Sequence, residues 1–230
     1  MRYFIIIIIS ALTFQLSQAQ TYEIGVFAGG SNFIGDVGSS KYISPNQPAV
    51  GGIFKWNRSA RHSFRFSLIY SELEADDSKS DDPRRKERDY KINNAIIEAS
   101  LGLEFTFFNF NLHSRKTNST PYLYTGIAVA KHDNYRFDLN GELLDDDTSS
   151  IAFAIPMVLG YKHQIAENLI LAGEIGARYT FSDEIDGSVP DAEEAFDRYA
   201  FGNLNNNDWY VFTGLTLTYT FGETPCYCSF

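Results

Sequence analysis

The stretch Trp209–Phe221, WYVFTGLTLTYTF, alternates in side-chain character from one residue to the next. Successive side chains of a β-strand point to opposite faces, so a period of two predicts a strand with two unlike faces. One face of this strand is apolar, and the other face carries mostly small and hydroxylic side chains. The apolar face has aromatic residues at its ends and consists of Trp209, Val211, Thr213, Leu215, Leu217, Tyr219 and Phe221.

The same period recurs in seven segments upstream of this strand. Several of them could supply the ~9–11 residues that a tilted strand needs to cross a membrane. Pro156 lies inside the sixth segment and weakens the prediction of its register, because proline cannot donate to a ladder. The seven segments are 22–30, 50–57, 64–70, 97–107, 122–130, 151–162 and 169–181.

The connections between these eight predicted strands alternate in length. Segments 31–49, 73–93, 132–150 and 182–208 are long and polar, whereas the intervening connections are shorter. Long loops at one end and short turns at the other are typical of outer-membrane barrels. We therefore predict an all-β fold, an eight-stranded antiparallel outer-membrane β-barrel with short periplasmic turns and long outer loops.

A soluble lipocalin-like barrel has the same period with its apolar face turned inward, and it stays open as an alternative. Aromatic residues at the strand ends favour the membrane barrel, because they match its interfacial girdles. The closing Tyr219-x-Phe221 resembles the aromatic terminal strand read by barrel-assembly machinery. An even number of strands places both termini on the periplasmic side.

Composition and the N-terminus narrow the class of protein. The 230 residues carry 19 basic and 29 acidic side chains, a net charge of −10 that disfavours nucleic-acid binding. Two cysteines exclude a disulfide scaffold and a four-cysteine zinc site. Arg2, an apolar run and Ser17-Gln18-Ala19 predict a signal peptide cleaved after Ala19. The predicted organisation is a signal peptide 1–19, a barrel 20–221 and a periplasmic tail 222–230.

The inward faces of the predicted strands carry charges of both signs. An eight-stranded barrel is filled by side chains and leaves no pore. Buried charges must pair, because an unpaired one is very costly. We expect outer-membrane lipid around the barrel and a structural ion-pair network inside it. The network consists of Glu23, Lys55, Arg65, Glu98, Glu104, Glu174 and Arg178.

The sequence offers little sign of catalysis, and we expect no enzyme activity, cofactor, metal or small-molecule substrate. The four histidines show no metal-ligand spacing. His132 with Ser149 or Ser150 leaves a lipid-modifying outer-membrane enzyme as an alternative. Calcium binding by the acidic stretches 145–147 and 183–197 also stays open.

The tail beyond the last strand carries Cys226 and Cys228. These two cysteines lie too close together for an easy internal disulfide, and the periplasm is oxidising. We predict that they contact a periplasmic partner, with an inert tail as the alternative.

Short motifs in a fixed order resemble the PorG family, the outer-membrane barrel component of the type IX secretion system. They are GGSNFIGDVG at 29–38, Pro45-Asn46-x-x-Ala49-x-Gly51, Lys55-Trp56-Asn57, the strand start 61–65, Asn93-Asn94-x-x-x-Glu98 and Pro121-Tyr122-x-x-x-Gly126-Ile127. The resemblance spans essentially the whole mature chain.

This resemblance implies a non-enzymatic role in protein secretion. PorG-like barrels associate with the periplasmic PorK lipoprotein and the PorN ring and are needed to export cargo with a C-terminal sorting domain. The periplasmic turns and the tail with Cys226 and Cys228 would then contact these partners. An OmpA-like structural or adhesive barrel, whose outer loops meet external ligands, stays open as the alternative.

Overall fold

The computed structural model describes residues 21–112, 117–137, 143–188, 201 and 207–222, with the backbone alone at 21, 136–137 and 143–147. These residues contain eight strands, each antiparallel to the next, and β1 also pairs with β8 to close a barrel. The predicted closed eight-stranded antiparallel barrel is confirmed. The strands are β1 (Thr21–Ile34), β2 (Gln47–Asn57), β3 (His62–Asp76), β4 (Lys91–Thr106), β5 (Ser119–Phe137), β6 (Leu143–Ala166), β7 (Leu169–Thr180) and β8 (Trp209–Phe221).

Strand β8 shows how the alternation of the sequence is used. Leu217 is exposed on the outer surface, where its register partners are Val26 of β1 and Leu171 of β7. Thr216 and Thr218 on the opposite face are buried inside the barrel. The apolar face therefore points outward, which contradicts the inward-facing arrangement of a lipocalin-like barrel.

Two of the predicted long loops are shorter than expected because the strands extend into them. Strand β5 continues to Phe137 and β6 begins at Leu143, so most of 132–150 is paired strand. Strands β3 and β4 likewise remain paired up to Asp76 and Lys91. Where neither face of a strand is apolar, neighbouring strands still pair through their backbone amides and carbonyls. The alternation of apolar and polar residues in the sequence therefore ends before the backbone pairing does.

The connection between β3 and β4 holds a 3-10 turn, Asp77–Lys79, and a short helix α1, Pro83–Arg88. This helix was not predicted from the charged segment. The side chain of Asp82 accepts the amide of Arg84 at 2.9 Å, and Pro83 opens the first turn. Asp89 ends the helix in the left-handed region at φ 55°.

Two irregularities in the barrel wall involve glycine and proline. Gly102 of β4 and Gly126 of β5 are register partners, and a Cβ on Gly102 would lie 2.1 Å from the carbonyl oxygen of Thr125. The pairing of β5 with β6 is interrupted at Pro156, which has no amide hydrogen to donate. Strand β6 nevertheless stays continuous and keeps its alternation of faces.

Buried apolar side chains gather toward the end of the barrel that carries the long loops, called here the long-loop end. The opposite end carries the connections β2–β3, β4–β5 and β6–β7 and is called the short-turn end; Thr21 and Phe221 lie there. The buried apolar cluster includes Phe27, Phe33, Ile69, Leu73, Ile96 and Phe212.

Candidate functional site

An apolar belt surrounds the outside of the barrel. On β3 the outward residues between His62 and Glu72 are all apolar, namely Phe64, Phe66, Leu68 and Tyr70, and each is exposed. At ~3.4 Å per residue this interval is about 34 Å long. With a strand tilt near 40° the belt is roughly 26 Å tall, close to the ~25 Å band of membrane barrels.

The inside of the barrel holds the seven charged residues that the sequence singled out, all of them buried. The Nζ atom of Lys55 lies 2.7 Å from Glu104 Oε2 and 3.9 Å from Glu23 Oε2. Glu23 also accepts hydrogen bonds from Asn57 Nδ2 and Thr218 Oγ1, each at 2.9 Å. These contacts occupy the inside of the barrel near the short-turn end.

Two arginines complete the interior contacts. Arg65 donates to both carboxylate oxygens of Glu174, at 2.7 and 2.8 Å, in a bidentate arrangement. Arg178 Nε donates to Glu98 Oε2 at 3.1 Å. Both guanidinium groups also lie over aromatic rings, Arg65 over Tyr124 at 4.8 Å and Arg178 over Phe212 at 4.4 Å.

A fourth cation, which sequence reasoning missed, belongs to the same network. Lys162 Nζ lies 2.8 Å from Glu104 Oε1 and is buried. It shares the inward face of β6 with Ala152, Ala154 and Val158, a signal that the register doubt at Pro156 obscured. Among the described residues the interior thus balances four carboxylates with four cations: Glu23, Glu98, Glu104 and Glu174 against Lys55, Arg65, Lys162 and Arg178.

Two buried tyrosines, also missed from the sequence, add hydrogen bonds to carboxylate oxygens that the arginines already contact. The Tyr122 hydroxyl donates to Glu174 at 2.6 Å, and the Tyr210 hydroxyl donates to Glu98 at 2.7 Å. Such a charge-balanced and hydrogen-bonded filling is what makes buried charge tolerable. These side chains fill the cross-section of the barrel and are bonded to one another between different strands.

At the long-loop end, segments 35–46, 77–90 and 181–188 interlock into a structure called here the cap. Asp77 is the centre of one contact: it accepts the Gly38 amide at 2.7 Å and the Arg88 guanidinium at 2.8 Å. Arg88 is stacked between Tyr90 at 4.9 Å and Phe201 at 4.5 Å. The cap thereby joins the β1–β2, β3–β4 and β7–β8 connections.

A second contact of the cap consists of buried carboxylates. Asp186 accepts the amides of Asp36 and Val37 at 2.7 and 3.2 Å, and Asp208 accepts the Ile185 amide at 3.0 Å. Burial raises the pKa of Asp186, and burial together with the neighbouring carboxylates raises the pKa of Asp208 well above its usual range. For the half-buried Asp183, burial and nearby acidic groups raise the pKa to about 7.

The candidate catalytic histidine lies inside the barrel. His132 is 1% exposed, and its Nδ1 lies 3.1 Å from the carbonyl oxygen of Asp133. Ser150 is its register partner on β6, yet in the described part of the chain no hydrogen bond joins His132 to Ser149 or Ser150. A serine and a histidine poised for nucleophilic attack need that bond, so this pair is not arranged for catalysis.

Several other predicted features lie outside the described residues. These are the signal peptide, residues 189–197 of the acidic stretch 183–197, the side chains of the acidic stretch 145–147, and both tail cysteines, Cys226 and Cys228. Among the residues that the structure does describe, no group of three or more His, Cys, Asp or Glu side chains could hold a metal ion.

Comparison with protein families gives one match, over residues 1–230, to the model described as a domain of unknown function, DUF6089. The chain belongs to the DUF6089 family. A search among curated proteins finds no match to it.

Solved structures similar to this DUF6089 chain are barrels of low sequence identity. A major outer membrane protein from Thermus thermophilus aligns with a TM-score of 0.49 and 14% identity, over 88% of this chain and 100% of that one. Ail, the attachment invasion locus protein of Yersinia pestis, aligns with a TM-score of 0.48 and 10% identity, over 88% and 99%. The N-terminal barrel domain of Pseudomonas aeruginosa OprF gives 0.44 and 13%, over 89% and 98%.

The fold of this DUF6089 chain therefore rests on its own strand pairing. Among the described residues no helix has the length and hydropathy to cross a membrane. The barrel presents three surfaces of different chemistry: an apolar belt, a capped long-loop end and a short-turn end. The short-turn end carries Arg58, Arg61 and exposed Phe108.

Proposed function

We propose that this protein is a non-enzymatic outer-membrane component of the type IX secretion system that holds the periplasmic PorK/PorN ring at the membrane. The apolar belt carries the membrane part of this proposal. Its height matches a bilayer's hydrocarbon region, and a surface so apolar around the whole circumference is stable only in contact with lipid.

The sealed interior supports an anchoring role over transport or catalysis. Arg65 with Glu174 and Lys162 with Glu104 join side chains from different strands across the barrel at 2.7–2.8 Å. Moving solute or cargo through this space would separate those buried pairs and leave their charges uncompensated inside the barrel, which is costly. A barrel closed in this way serves as a rigid membrane anchor whose ends meet partners.

The ordered PorG-like motifs support the choice of partner, and they come from both ends of the barrel. The motif 29–38 includes Asp36 and Gly38, which the cap holds by backbone contacts. The motif Lys55-Trp56-Asn57 lies at the short-turn end, where Asn57 bonds to Glu23. We place that end, and the tail with Cys226 and Cys228, in the periplasm facing PorK and PorN.

The test is recovery of partners from outer membranes of the native host, solubilised without reducing agent. Tagged wild-type protein and a Ser229→Ala tail control are expected to bring down PorK and PorN. The double variant Cys226→Ser, Cys228→Ser is expected to recover less of both. Equal recovery would remove the cysteines from the contact and leave the anchor proposal in place.

Deletion of the gene tests the secretion role itself. The expected result is loss of sorting-domain cargo from the medium, restored by the wild-type gene. Two results together would overturn the proposal. The deletion strain would secrete cargo normally, and the tagged protein would be recovered without PorK and PorN from membranes that contain both.

A second candidate function, an OmpA-like adhesive barrel, is favoured by the outer surface of the cap. Tyr42 and Ile43 are 75% and 58% exposed, and the Asn32 side chain fixes this turn through bonds to Lys41, Tyr42 and Ser44. A rigid, exposed apolar pair suits contact with an external ligand. Loss of cell adhesion in the Tyr42→Ser, Ile43→Ser variant, with secretion intact, would favour this candidate.

A further inference from the structure

A groove of about 490 Å³ interrupts the belt on the outer face of β2, β3 and β4. Its outward-facing walls are Val50, Leu68, Tyr70 and Ile97, and its floor is Gly52. A Cβ built on Gly52 has no atom within 4 Å, so the floor exists because this residue has no side chain. Each of the four neighbouring side chains is 48–55% exposed.

The chemistry of the groove restricts what can occupy it. Its outward walls are hydrocarbon apart from the Tyr70 hydroxyl, and the strand backbones around it are paired with each other. A peptide segment placed there at membrane depth would leave its own amides and carbonyls without partners, which is prohibitive in hydrocarbon. An acyl chain has no such groups and gains contact with the walls.

A cation, Lys131, lies beside the groove at its edge toward the long-loop end. Lys131 of β5 is exposed and is the register partner of Ile97, which in turn is the partner of Tyr70. Two strand spacings, about 10 Å, therefore separate the Tyr70 and Lys131 backbones. Among the described residues no carboxylate forms an ion pair with Lys131.

The acidic group nearest to the groove in the register is already engaged. Glu72 follows Tyr70 on the outward face of β3, and its Oε2 accepts a hydrogen bond from Asn93 Nδ2 at 3.2 Å. On β6 the register partner of Lys131 is Ile151, which is apolar and 64% exposed. Asp133 lies two residues further along the same face of β5 and forms no ion pair with Lys131. Within the described part of the barrel, the Lys131 ammonium therefore has no carboxylate partner at the long-loop limit of the belt, the depth at which headgroups meet hydrocarbon.

We propose that the groove is a binding site for one bilayer lipid with an anionic phosphate headgroup. One acyl chain lies over Gly52 between Leu68 and Tyr70, and the phosphate contacts the Lys131 ammonium. The site rests on the membrane location argued under the proposed function. It is independent of the secretion role and of the partners at the two ends.

Native mass spectrometry of the mature chain, released from detergent after titration with dioleoyl phosphatidylglycerol or dioleoyl phosphatidylcholine, tests the site. The wild type is expected to retain one phosphatidylglycerol in preference to phosphatidylcholine. Gly52→Leu fills the groove and is expected to lose that lipid. Lys131→Gln keeps the groove, and its preference for phosphatidylglycerol is expected to drop about fivefold, the effect of one basic side chain at a membrane surface.

Gly173→Leu is the matched control, because Gly173 is an outward glycine on β7 whose Cβ would contact only Leu215, at an ordinary 3.7 Å. It is expected to retain lipid as the wild type does. Heat-modified migration on gels verifies that each variant is a folded barrel. The lipid site is overturned if Gly52→Leu retains as much lipid as Gly173→Leu, or if the wild type shows no headgroup preference.

The outcomes separate this site from the wider proposal. Equal retention in a protein that still partitions into membranes removes the lipid site alone. A mature chain that stays in the aqueous phase without detergent removes the membrane location, and the lipid site with it.

Discussion

Replacing Glu104 by glutamine breaks the most connected point of the interior network without changing its shape. Glu104 is fully buried and lies 2.7 Å from Lys55 Nζ, 2.8 Å from Lys162 Nζ and 3.9 Å from Arg65 Nη1. The variant leaves three carboxylates facing four cations in the described interior. The excess cation is Lys162 or Lys55, and neither can reach water.

The magnitude follows from the cost of an uncompensated buried charge. Removing one partner of a buried ion pair typically lowers the free energy of unfolding by about 3–5 kcal/mol. Lys55 keeps Glu23 at 3.9 Å, whereas no other carboxylate among the described residues pairs with Lys162. Adding Lys162→Met restores three carboxylates against three cations, so the double variant is expected to regain most of the lost stability.

Urea unfolding of the barrel refolded into lipid vesicles, followed by heat-modified migration, measures these free energies. The matched control is Lys79→Gln, which breaks an ion pair to Glu74 of the same 2.8 Å length at an exposed site. No measurable change is expected there, because exposed pairs contribute little. If Glu104→Gln costs under ~1 kcal/mol, or its cost and that of Lys162→Met simply add, the charge-balance reasoning is wrong.

Two further predictions concern the cap and the barrel wall. Because the pKa of Asp183 is raised from 3.8 to about 7, the folded cap binds this proton more tightly than the unfolded chain, so cap stability falls as the pH rises from about 4 to 7. Hydrogen-exchange protection factors of the Val37 and Ile185 amides are expected to drop over that range in the wild type and to change less in Asp183→Asn; the same decline in both would contradict this. Gly102→Ala is expected to cost about 1–3 kcal/mol in the urea assay, since its Cβ meets a carbonyl oxygen at 2.1 Å, whereas Gly52→Ala should be neutral; an equal effect of both would refute the close approach.

The interior charges show what the residue pattern within a single strand can predict and what it cannot. Alternation along each strand places Arg65 and Glu174 on inward faces, and elementary electrostatics requires that such charges pair. Which charge meets which depends on residues 109 positions apart, and only closure of the barrel brings them to 2.7 Å. Lys162 was missed because Pro156 left the register of its strand in doubt, and its partner Glu104 lies 58 positions away.

The cap lies almost wholly outside what the pattern could predict. Segments 73–93 and 182–208 were predicted to be long, polar outer loops, with calcium binding left open for 183–197. In the structure Arg88 binds Asp77 and stacks on Phe201, contacts that join separate connections. The helix Pro83–Arg88 has a proline start and a capping aspartate in the sequence, but six residues are too few for propensity alone to predict it.

By itself the sequence determined the all-β class, the number of strands and the two unlike faces of each strand, because alternation of side chains is a property of each strand alone. Only the structure shows that the apolar faces point outward. The tertiary structure alone decided the strand ends, the ion-pair partners, the cap and the groove at Gly52. Each of these depends on register between strands and on side chains from connections distant in sequence, and contacts of that kind exist only once the sheet has closed.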